Sequence, residues 1–370
     1  MFERFFRSEA ASGVLLLGTT VLALAAANLA FSAPLYFGTL ETYVGGLSIL
    51  HWINDGLMAL FFLLVGLEIK HELTGGALST WPSRALPGLA ALGGMAAPAL
   101  IYAAFNASDP ATAHGWAIPT ATDIAFSLGV LAMLGSSAPA SLKIFLAALA
   151  IIDDLLAVLI IALFYGSGLS ALFLGLAALT LVALIALNLL KVMRLLPYLL
   201  LGALLWFFVL KSGLHATLAG VALAFVLPAG PGQKLEHGLA NWVAFAIVPL
   251  FAFANAGVSL AGMRLGTLAE PITLGVAAGL VLGKQIGVFG AAWLGVKLKL
   301  GSLPEKTGWL HIYGVSMLCG IGFTISLFIG ALAFTQADAQ NAAKLGVLAG
   351  SLISGLLGWL VLSLAGRRAV

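Results

Sequence analysis

The stretch AIIDDLL at residues 150–156 places two adjacent carboxylates, Asp153 and Asp154, inside an apolar run that extends from about Ile144 to about Tyr165. A helix rises about 1.5 Å per residue, so both acids lie more than ~10 Å from the start of that run, near the centre of a hydrocarbon layer about 30 Å thick. One Asp at this depth costs about 2.5–3.5 kcal/mol on insertion scales, so two in succession indicate that the protein uses them. The stretch therefore predicts an ion or proton site at the centre of a membrane protein.

The composition around this stretch excludes a soluble domain. Hydrophobic residues make up 62% of the 370 residues and charged residues only 8%, whereas soluble domains carry about 25% charged residues. The formal net charge of +3 comes from basic residues scattered through short loops, without the runs that track phosphates, so no nucleic-acid partner is expected. Cys319 is the single cysteine, which rules out an intramolecular disulfide and a cysteine-based metal site, and no cofactor is expected.

Apolar segments of spanning or near-spanning length follow one another along the whole chain, which predicts an all-α polytopic membrane protein with about twelve transmembrane helices. The first segment resembles a signal peptide, but it is long and many more spans follow, so a retained helix is favoured. Between the first two segments, residues 32–48 combine proline, glycine, threonine and aromatic residues, which predicts a small β-hairpin. The segments are 11–31, 49–71, 85–105, 111–134, 141–165, 170–190, 195–210, 212–228, 236–258, 271–296, 308–335 and 342–366.

Lysine and arginine residues predict the orientation of these helices. When they are assigned to alternate sides of twelve spans, thirteen fall on one side and three, Lys211, Arg264 and Lys344, on the other. Because cytoplasmic loops are enriched in basic residues, both termini are predicted to be cytoplasmic. The thirteen are Arg4, Arg7, Lys70, Arg84, Lys143, Lys191, Arg194, Lys234, Lys297, Lys299, Lys306, Arg367 and Arg368.

Two segments contain residues that interrupt helices. In 111–134, Pro119 precedes the polar stretch TATD, and in 308–335 three glycines precede the stretch FTIS. Interrupted spans at matching places in two halves of a chain are typical of inverted repeats whose broken helices meet at the ion site of a transporter. The two repeats, 85–165 and 271–366, begin at the third and the tenth segment, so they are predicted to cross the membrane in opposite directions within a single transporter unit.

Two further charges lie in these repeats. Lys284 lies deep in a span, too far from water for its side chain to reach it, so it needs a buried carboxylate. Asp123 and Lys284 suit the positive and negative dipole ends that broken helices leave in the bilayer; alternatively, both charges only hold the crossing together.

Asp153 and Asp154 point about 100° apart on a helix, so one partner does not readily neutralise both. At least one of the two is therefore expected to bind a transported ion.

Several motifs resemble the NhaA-type sodium/proton antiporters of bacterial inner membranes. The stretches AIPTATDIAF at 117–126, LKIFL at 142–146 and AIIDD at 150–154 carry the resemblance. It continues over nearly the whole chain in NDGLM at 54–58, GLEIK at 66–70, HATLAG at 215–220, PLFAFANAG at 249–257 and LCGIGFT at 318–324.

The resemblance implies that the chain exports sodium or lithium in exchange for incoming protons, by an electrogenic mechanism that is activated at alkaline pH and supports sodium homeostasis. Asp153 and Asp154 match the family's cation and proton site. Thr122 and Asp123 match residues where the unwound chains cross, and Lys284 matches a lysine paired with an acid of that site. Sodium prefers oxygen ligands, so Asp153, Asp154 and the Thr122 hydroxyl are its expected ligands, with Asp154 as the principal one. Whether Asp153 or Lys284 carries a second proton stays open.

The resemblance also implies a homodimer in the lipid bilayer that uses the hairpin between the first two spans. The segments outside the two repeats, 11–71 and 170–258, are therefore expected to form the interface and dimerisation helices.

A pH-sensing funnel at the cytoplasmic helix ends is a further implication of the resemblance, and solvated loop charges are the alternative interpretation of the same residues. His71 stands where an arginine is familiar in the family, and Ala240 where a histidine is, which predicts an altered activation pH or steepness. His215, in an apolar segment, is either a packing histidine or a proton carrier. Asp55 is either a packing acid or part of an access path. The residues assigned to the pH response are Glu68, His71, Glu72, Glu236, His237 and His215.

Other classes of membrane protein fit the sequence less well. An intramembrane aspartyl protease would carry a Gly-x-Gly-Asp signature, which is absent from the sequence. The stretch HELTG at 71–75 does not complete the His-Glu-x-x-His motif of a metalloprotease, so an enzyme is not expected. An ion channel more usually places its acids in rings formed by oligomeric symmetry. A sodium-coupled solute symporter of the same architecture is the nearer alternative, although it has no need of a buried pair that titrates protons.

Overall fold

The computed structural model describes residues 9–76, 78–135, 138–166, 168–260 and 265–368, and most of these residues are helical. Arg4, Arg7 and Arg264, which enter the predicted orientation, lie outside the described residues, as do the side chains of Arg367 and Arg368. In chain order the elements are α1 (Glu9–Asn28), α2 (Ala33–Glu41), β1 (Tyr43–Val44), β2 (Leu47–Ser48), α3 (Ile49–Thr74), α4 (Trp81–Asn106), α5 (Pro110–Thr120), α6 (Ile124–Met133), α7 (Ala140–Phe164), α8 (Ala171–Leu189), α9 (Leu195–Ser212), α10 (Leu218–Val226), α11 (Ala229–Ala256), α12 (Pro271–Lys297), α13 (Trp309–Leu318), α14 (Phe323–Ala333) and α15 (Ala337–Arg368).

Within the described ranges, nine helices are long and apolar enough to cross a membrane, and two bent helix pairs raise this number to eleven if each pair is one span. The bent pairs are α5 with α6 and α13 with α14, in the two segments predicted to be interrupted. The predicted segment 212–228 contributes only α10, which is nine residues long. The preceding helix ends at Gly213, whose φ of +88° is left-handed and stops the helix. The structure confirms the polytopic helical fold and shortens one predicted segment.

The predicted hairpin after the first helix is present. Strands β1 and β2 pair in antiparallel fashion, with Tyr43 opposite Ser48 and Val44 opposite Leu47. Gly45 and Gly46 between them both have positive φ, as a two-residue type I′ turn requires.

Helices α4 and α12 approach each other at backbone contact distance. A Cβ atom on Gly93 would lie 2.3 Å from the carbonyl oxygen of Gly287, and one on Gly287 would lie 2.0 Å from that of Gly93, so any side chain at either position would clash. On α12, π-helical turns at 279–283 and 285–289 flank Lys284. Such turns interrupt regular helices frequently at functional sites. The close approach and the two turns together place Lys284 inside the bundle.

The outer surface of the bundle is apolar. Leu172, Leu179 and Leu189 on α8 are all exposed, and large hydrophobic residues are likewise exposed on most of the spanning helices. A protein in water rarely exposes so much apolar surface, whereas lipid solvates it. The architecture is therefore that of a multi-pass membrane protein, and Asp123, Asp153, Asp154 and Lys284 are buried inside it.

Candidate functional site

The two broken helix pairs cross where their chains are unwound. The pair α5–α6 bends by 42° and the pair α13–α14 by 43°. At the crossing, the backbone N–H of Asp123 donates to the carbonyl oxygen of Ile321 at 2.6 Å. The Thr122 hydroxyl donates to the carbonyl oxygen of Cys319 at 3.0 Å. The carbonyl groups of Cys319 and Ile321, in the unwound stretch between α13 and α14, thus find donors across the crossing, as a buried backbone without water requires.

Asp123 joins the N-termini of two helices. Its Oδ1 accepts a hydrogen bond from the Phe126 N–H at the start of α6, at 3.0 Å. Its Oδ2 accepts from the Thr324 N–H at 3.0 Å and from the Thr324 hydroxyl at 2.6 Å, at the start of α14. Helix N-termini carry unpaired N–H donors and a positive dipole end, both of which favour a carboxylate. One buried acid therefore compensates two helix ends.

Lys284 compensates negative charge, whereas Asp123 compensates the positive ends of helices. Its Nζ lies 2.8 Å from Oδ2 of Asp153, and the two side chains are 0% and 2% exposed. The same ammonium group donates to the carbonyl oxygen of Thr120, which is the last residue of α5. A helix C-terminus carries unpaired carbonyl groups and a negative dipole end, so the lysine compensates both a carboxylate and a helix end. The buried carboxylate that the sequence required for Lys284 is Asp153.

Asp154 differs from its neighbour in having an oxygen without a partner. It is 3% exposed, and among the described residues no hydrogen-bond donor reaches its Oδ1. A buried carboxyl oxygen without a donor is costly, which makes it a candidate for binding a proton or a cation. The Thr122 hydroxyl donates its only proton to the Cys319 carbonyl, so the lone pairs of its oxygen point away from that bond. Asp154 and Thr122 therefore offer oxygen atoms of the kind that sodium prefers.

Sequence reasoning missed further residues that tie the broken pairs together. The Ser127 hydroxyl donates to the Leu318 carbonyl at the end of α13, at 3.0 Å, and the Ser326 hydroxyl donates to the Ile118 carbonyl in α5, at 2.6 Å. Thr324, which binds Asp123, belongs to the same group. The sequence could have indicated these residues, because each is a serine or threonine within a few positions of a break in an apolar span.

The residues assigned to the pH response fall into two separate places. His71 Nδ1 lies 3.3 Å from Glu236 Oε1, which joins the end of α3 to α11. Glu68 is partly buried about one turn before His71 on the same helix, and Glu72 follows it. His237 contacts instead its own helix, with Nδ1 2.7 Å from the Gln233 carbonyl oxygen.

His215 and His71 lie towards opposite ends of α10. It precedes the start of α10, and its Nε2 lies 2.6 Å from the carbonyl oxygen of Tyr165, directly after the last residue of α7. Lys70, next to His71, instead donates to the Phe225 carbonyl at the far end of α10, at 2.8 Å. The structure thus separates His215 from the remaining residues of the predicted group.

Comparison with known proteins gives a consistent result over the full length. The family model described as Na+/H+ antiporter 1 matches residues 3–362. The chain is 59% identical to the Na(+)/H(+) antiporter NhaA of Mesorhizobium japonicum, with 100% of this chain and 96% of that protein covered. It is 59% identical to the Na(+)/H(+) antiporter NhaA of Nitrobacter hamburgensis, with 98% and 91% covered. It is 57% identical to the Na(+)/H(+) antiporter NhaA of Caulobacter vibrioides, with 100% and 92% covered.

Proposed function

The chain belongs to the Na+/H+ antiporter 1 family, and on this premise we propose that it exports sodium or lithium from a bacterial cell in exchange for protons that enter at Asp153 and Asp154. It is a sodium/proton antiporter by family and by its relatives, and the solute symporter considered from the sequence has no support among them.

The unpaired oxygen of Asp154 is the observation that carries the proposal. Asp153 already has a positive partner in Lys284, whereas Asp154 next to it has a buried oxygen with no donor among the described residues. A carboxylate in that situation gains a partner either by taking up a proton or by binding a cation. Asp154 is therefore the principal site for sodium, with the Thr122 oxygen and backbone carbonyls released by the breaks as further ligands.

Competition for this one site gives exchange. Sodium and a proton cannot occupy the same carboxylate oxygen together, so release of one on one side of the membrane allows the other to bind there. If the site opens outward and inward in turn, the proton gradient drives sodium out. Transport is electrogenic when a second proton accompanies the first, and either Asp153 or Lys284 supplies that second group through their ion pair.

The inverted-repeat division is supported by the matching bends of the two broken pairs, 42° and 43°, and by their mutual hydrogen bonds. The repeats are residues 85–165 and 271–366. The other spans, 11–71 and 170–258, together with the hairpin, form the interface of a homodimer in the inner membrane. Basic residues that accumulate on one side of the twelve predicted segments support an orientation with both termini in the cytoplasm.

Regulation by pH is proposed for the cytoplasmic end of α3 and α11. His71 and Glu236 form a contact there whose ionic part exists only while the histidine is protonated. Glu68 and Glu72 lie on the same helix as His71, within one turn of it. His237 and His215 have separate partners, so we place neither of them in this group.

The experiment that tests the site is proton movement in everted vesicles on addition of NaCl, LiCl or KCl, between about pH 6.5 and 9, around the ordinary histidine pKa and above it. We expect wild type to dissipate the pH gradient with sodium and lithium, and Asp154→Asn to abolish this response, because the amide can neither release a proton nor neutralise the cation. Asp338→Asn is the matched control, since Asp338 is exposed at the start of α15. A full sodium response in Asp154→Asn would contradict the assigned ligand, and no response in folded, inserted wild type would contradict antiport.

A further inference from the structure

The helix that follows the second broken pair presents serine hydroxyls to the unwound stretch. On α15, the Oγ of Ser351 accepts a hydrogen bond from the backbone N–H of Gly322 at 3.2 Å. One turn further on, Ser354 packs against Gly320 so closely that a Cβ atom on that glycine would lie 2.4 Å from the Ser354 Oγ. Both serines are buried. The two glycines of the unwound stretch therefore each meet one serine of α15.

The partner of Ser351 belongs to the segment that holds Asp123. Gly322 follows Ile321, whose carbonyl oxygen accepts the N–H of Asp123, and it precedes Thr324 by two residues. Thr324 donates twice to the Asp123 carboxylate. The Gly322 N–H is one of the unpaired donors at the start of α14, and it lies in a part of the protein where water does not replace a lost partner. Ser351 thus fixes the backbone between the two points at which this segment contacts Asp123.

Ser354 lacks such a role although its surroundings are similar. Its hydroxyl is fully buried and has no hydrogen-bond partner within the described part of the chain. Removal of a buried hydroxyl without a partner takes away a group that contributes no hydrogen bond, so the substitution is expected to be neutral or mildly stabilising. Ser354 is therefore a matched control for Ser351, with the same side chain, on the same helix and against the same unwound stretch.

Helix α15 has the same place in the second proposed repeat as α7 has in the first. Helix α7 follows the first broken pair and carries Asp153 and Asp154, and α15 follows the second broken pair and carries the two serines. In the proposed inverted repeats these helices are equivalent, so the second repeat meets its own break with hydroxyl groups where the first repeat has carboxylates. Hydroxyl groups hold the backbone without adding a charge at the centre of the membrane.

We propose that Ser351 is a positioning residue for the exchange of sodium and protons. Its hydrogen bond to Gly322 fixes the stretch whose Thr324 donates to Asp123 at the crossing. The inference rests on the proposed antiport function. Loss of the Ser351 hydroxyl leaves the α14 N-terminus free to shift relative to Asp123, and the ligands that the crossing presents to the cation shift with it. The consequence is a weaker apparent affinity for sodium, with the amount of folded protein little changed.

The test compares Ser351→Ala, Ser351→Thr and Ser354→Ala in the full-length protein. We expect Ser351→Ala to raise the apparent KM for Na+ and Li+ by about three- to tenfold, as the loss of one buried hydrogen bond implies, while the maximal rate per folded protein stays within about twofold. Ser351→Thr keeps the hydroxyl oxygen and restores the wild-type KM, and Ser354→Ala leaves it unchanged. A purely destabilising effect would instead lower the amount of active protein and leave KM unaltered.

Hydrogen exchange provides a readout that does not depend on transport. We expect the amides of residues 320–326 to exchange faster in Ser351→Ala than in wild type, with no such change in Ser354→Ala. If wild type fails to exchange sodium for protons while this difference persists, the antiport proposal is wrong and the structural role of Ser351 stands. Equal KM values in Ser351→Ala and wild type, equal effects of both alanine variants, or no rescue by threonine would overturn the positioning role.

Discussion

The crossing at the centre of the molecule and the C-terminal end of α3 both contain several ionisable residues, but the two regions stabilise these residues differently. At the centre, Lys284 and Asp153 are 0% and 2% exposed and lie 2.8 Å apart. At the end of α3, His71 and Glu236 lie 3.3 Å apart with side chains 41% and 17% exposed. The first pair depends on the protein for its solvation, whereas the second shares its charges with water.

This difference in exposure distinguishes the proposed ion site from the residues proposed for the pH response. At the centre, opposite charges or helix ends compensate Asp123, Asp153 and Lys284, so each of these three residues is coupled to the geometry of the crossing. His71 and Glu236 at the end of α3 are partly exposed to solvent, so they are less tightly coupled to the fold, which suits the proposed adjustment of activity to pH. The following substitutions test that separation, beginning with the one expected to have the largest effect.

Of the substitutions considered, Lys284→Ala is expected to lower the stability of the protein the most. It leaves the buried carboxylate of Asp153 without its cation and the Thr120 carbonyl at the end of α5 without its donor. Breaking a buried ion pair by removing one partner costs about 3–5 kcal/mol, so we expect the free energy of unfolding to fall by that amount and antiport to be lost. Thermal unfolding in detergent, followed by circular dichroism, measures the change.

A double variant shows whether the uncompensated charge is the cause. Asp153→Asn combined with Lys284→Met removes both charges, so much of the stability lost in Lys284→Ala should return. Antiport in this double variant also reports whether the ion pair carries a second proton. If Lys284→Ala unfolds at the same temperature as wild type, the contrast between the two regions is incorrect.

Asp123→Asn should have an intermediate effect. The amide side chain has a single acceptor oxygen, so it cannot serve the Phe126 N–H and the two donors of Thr324 together, and it lacks the charge that suits two helix N-termini. Loss of a hydrogen bond to a charged group costs about 1.5–3 kcal/mol, which is the destabilisation that we expect in thermal unfolding.

Asp109→Asn is the control for this prediction. Asp109 caps the start of α5 by accepting from the Ala111 N–H at 2.9 Å, but it is exposed and serves one helix. Asparagine caps helices about as well as aspartate, so this variant should unfold like wild type. Equal losses in the two variants would show that burial at the crossing adds nothing to the role of Asp123.

His71→Arg is expected to act on pH dependence with little effect on stability. Arginine keeps its positive charge at every accessible pH, whereas the imidazole of His71 is charged only when it is protonated. In the arginine variant the attraction to Glu236 persists at alkaline pH. We therefore expect the pH profile of activation to move to higher pH. Exposed pairs contribute about 0–1 kcal/mol and one pH unit corresponds to about 1.4 kcal/mol, so the shift should stay below about one unit.

The measurement is the pH profile of sodium-driven proton movement in vesicles. His237→Arg serves as the control, because the ring of His237 contacts the Gln233 carbonyl of its own helix and does not bridge α3 and α11. Identical profiles for wild type and His71→Arg would remove His71 from the pH response. A shift of equal size in both variants would indicate that surface charge in general, rather than the His71–Glu236 contact, sets the profile.

The sequence by itself determined the elements that depend on local chemistry. The stretch AIIDDLL predicted an ion or proton site inside the membrane. Glycine and proline residues at two matching places predicted the two interrupted spans. The proline, glycine, threonine and aromatic residues of 32–48 predicted the hairpin, and in the structure Gly45 and Gly46 form its turn with positive φ, which few other residues adopt. Each of these follows from residues that are close together in the chain.

Only the tertiary structure decided which distant groups meet. Asp153 and Asp154 are neighbours in sequence, yet the fold gives Lys284 to the first and leaves an oxygen of the second unpaired. It also places His215 away from His71, and it brings Ser351 to the Gly322 amide. These pairings depend on the angle at which helices cross and on which face each helix presents. Such quantities arise from packing over the whole chain, so no local pattern encodes them.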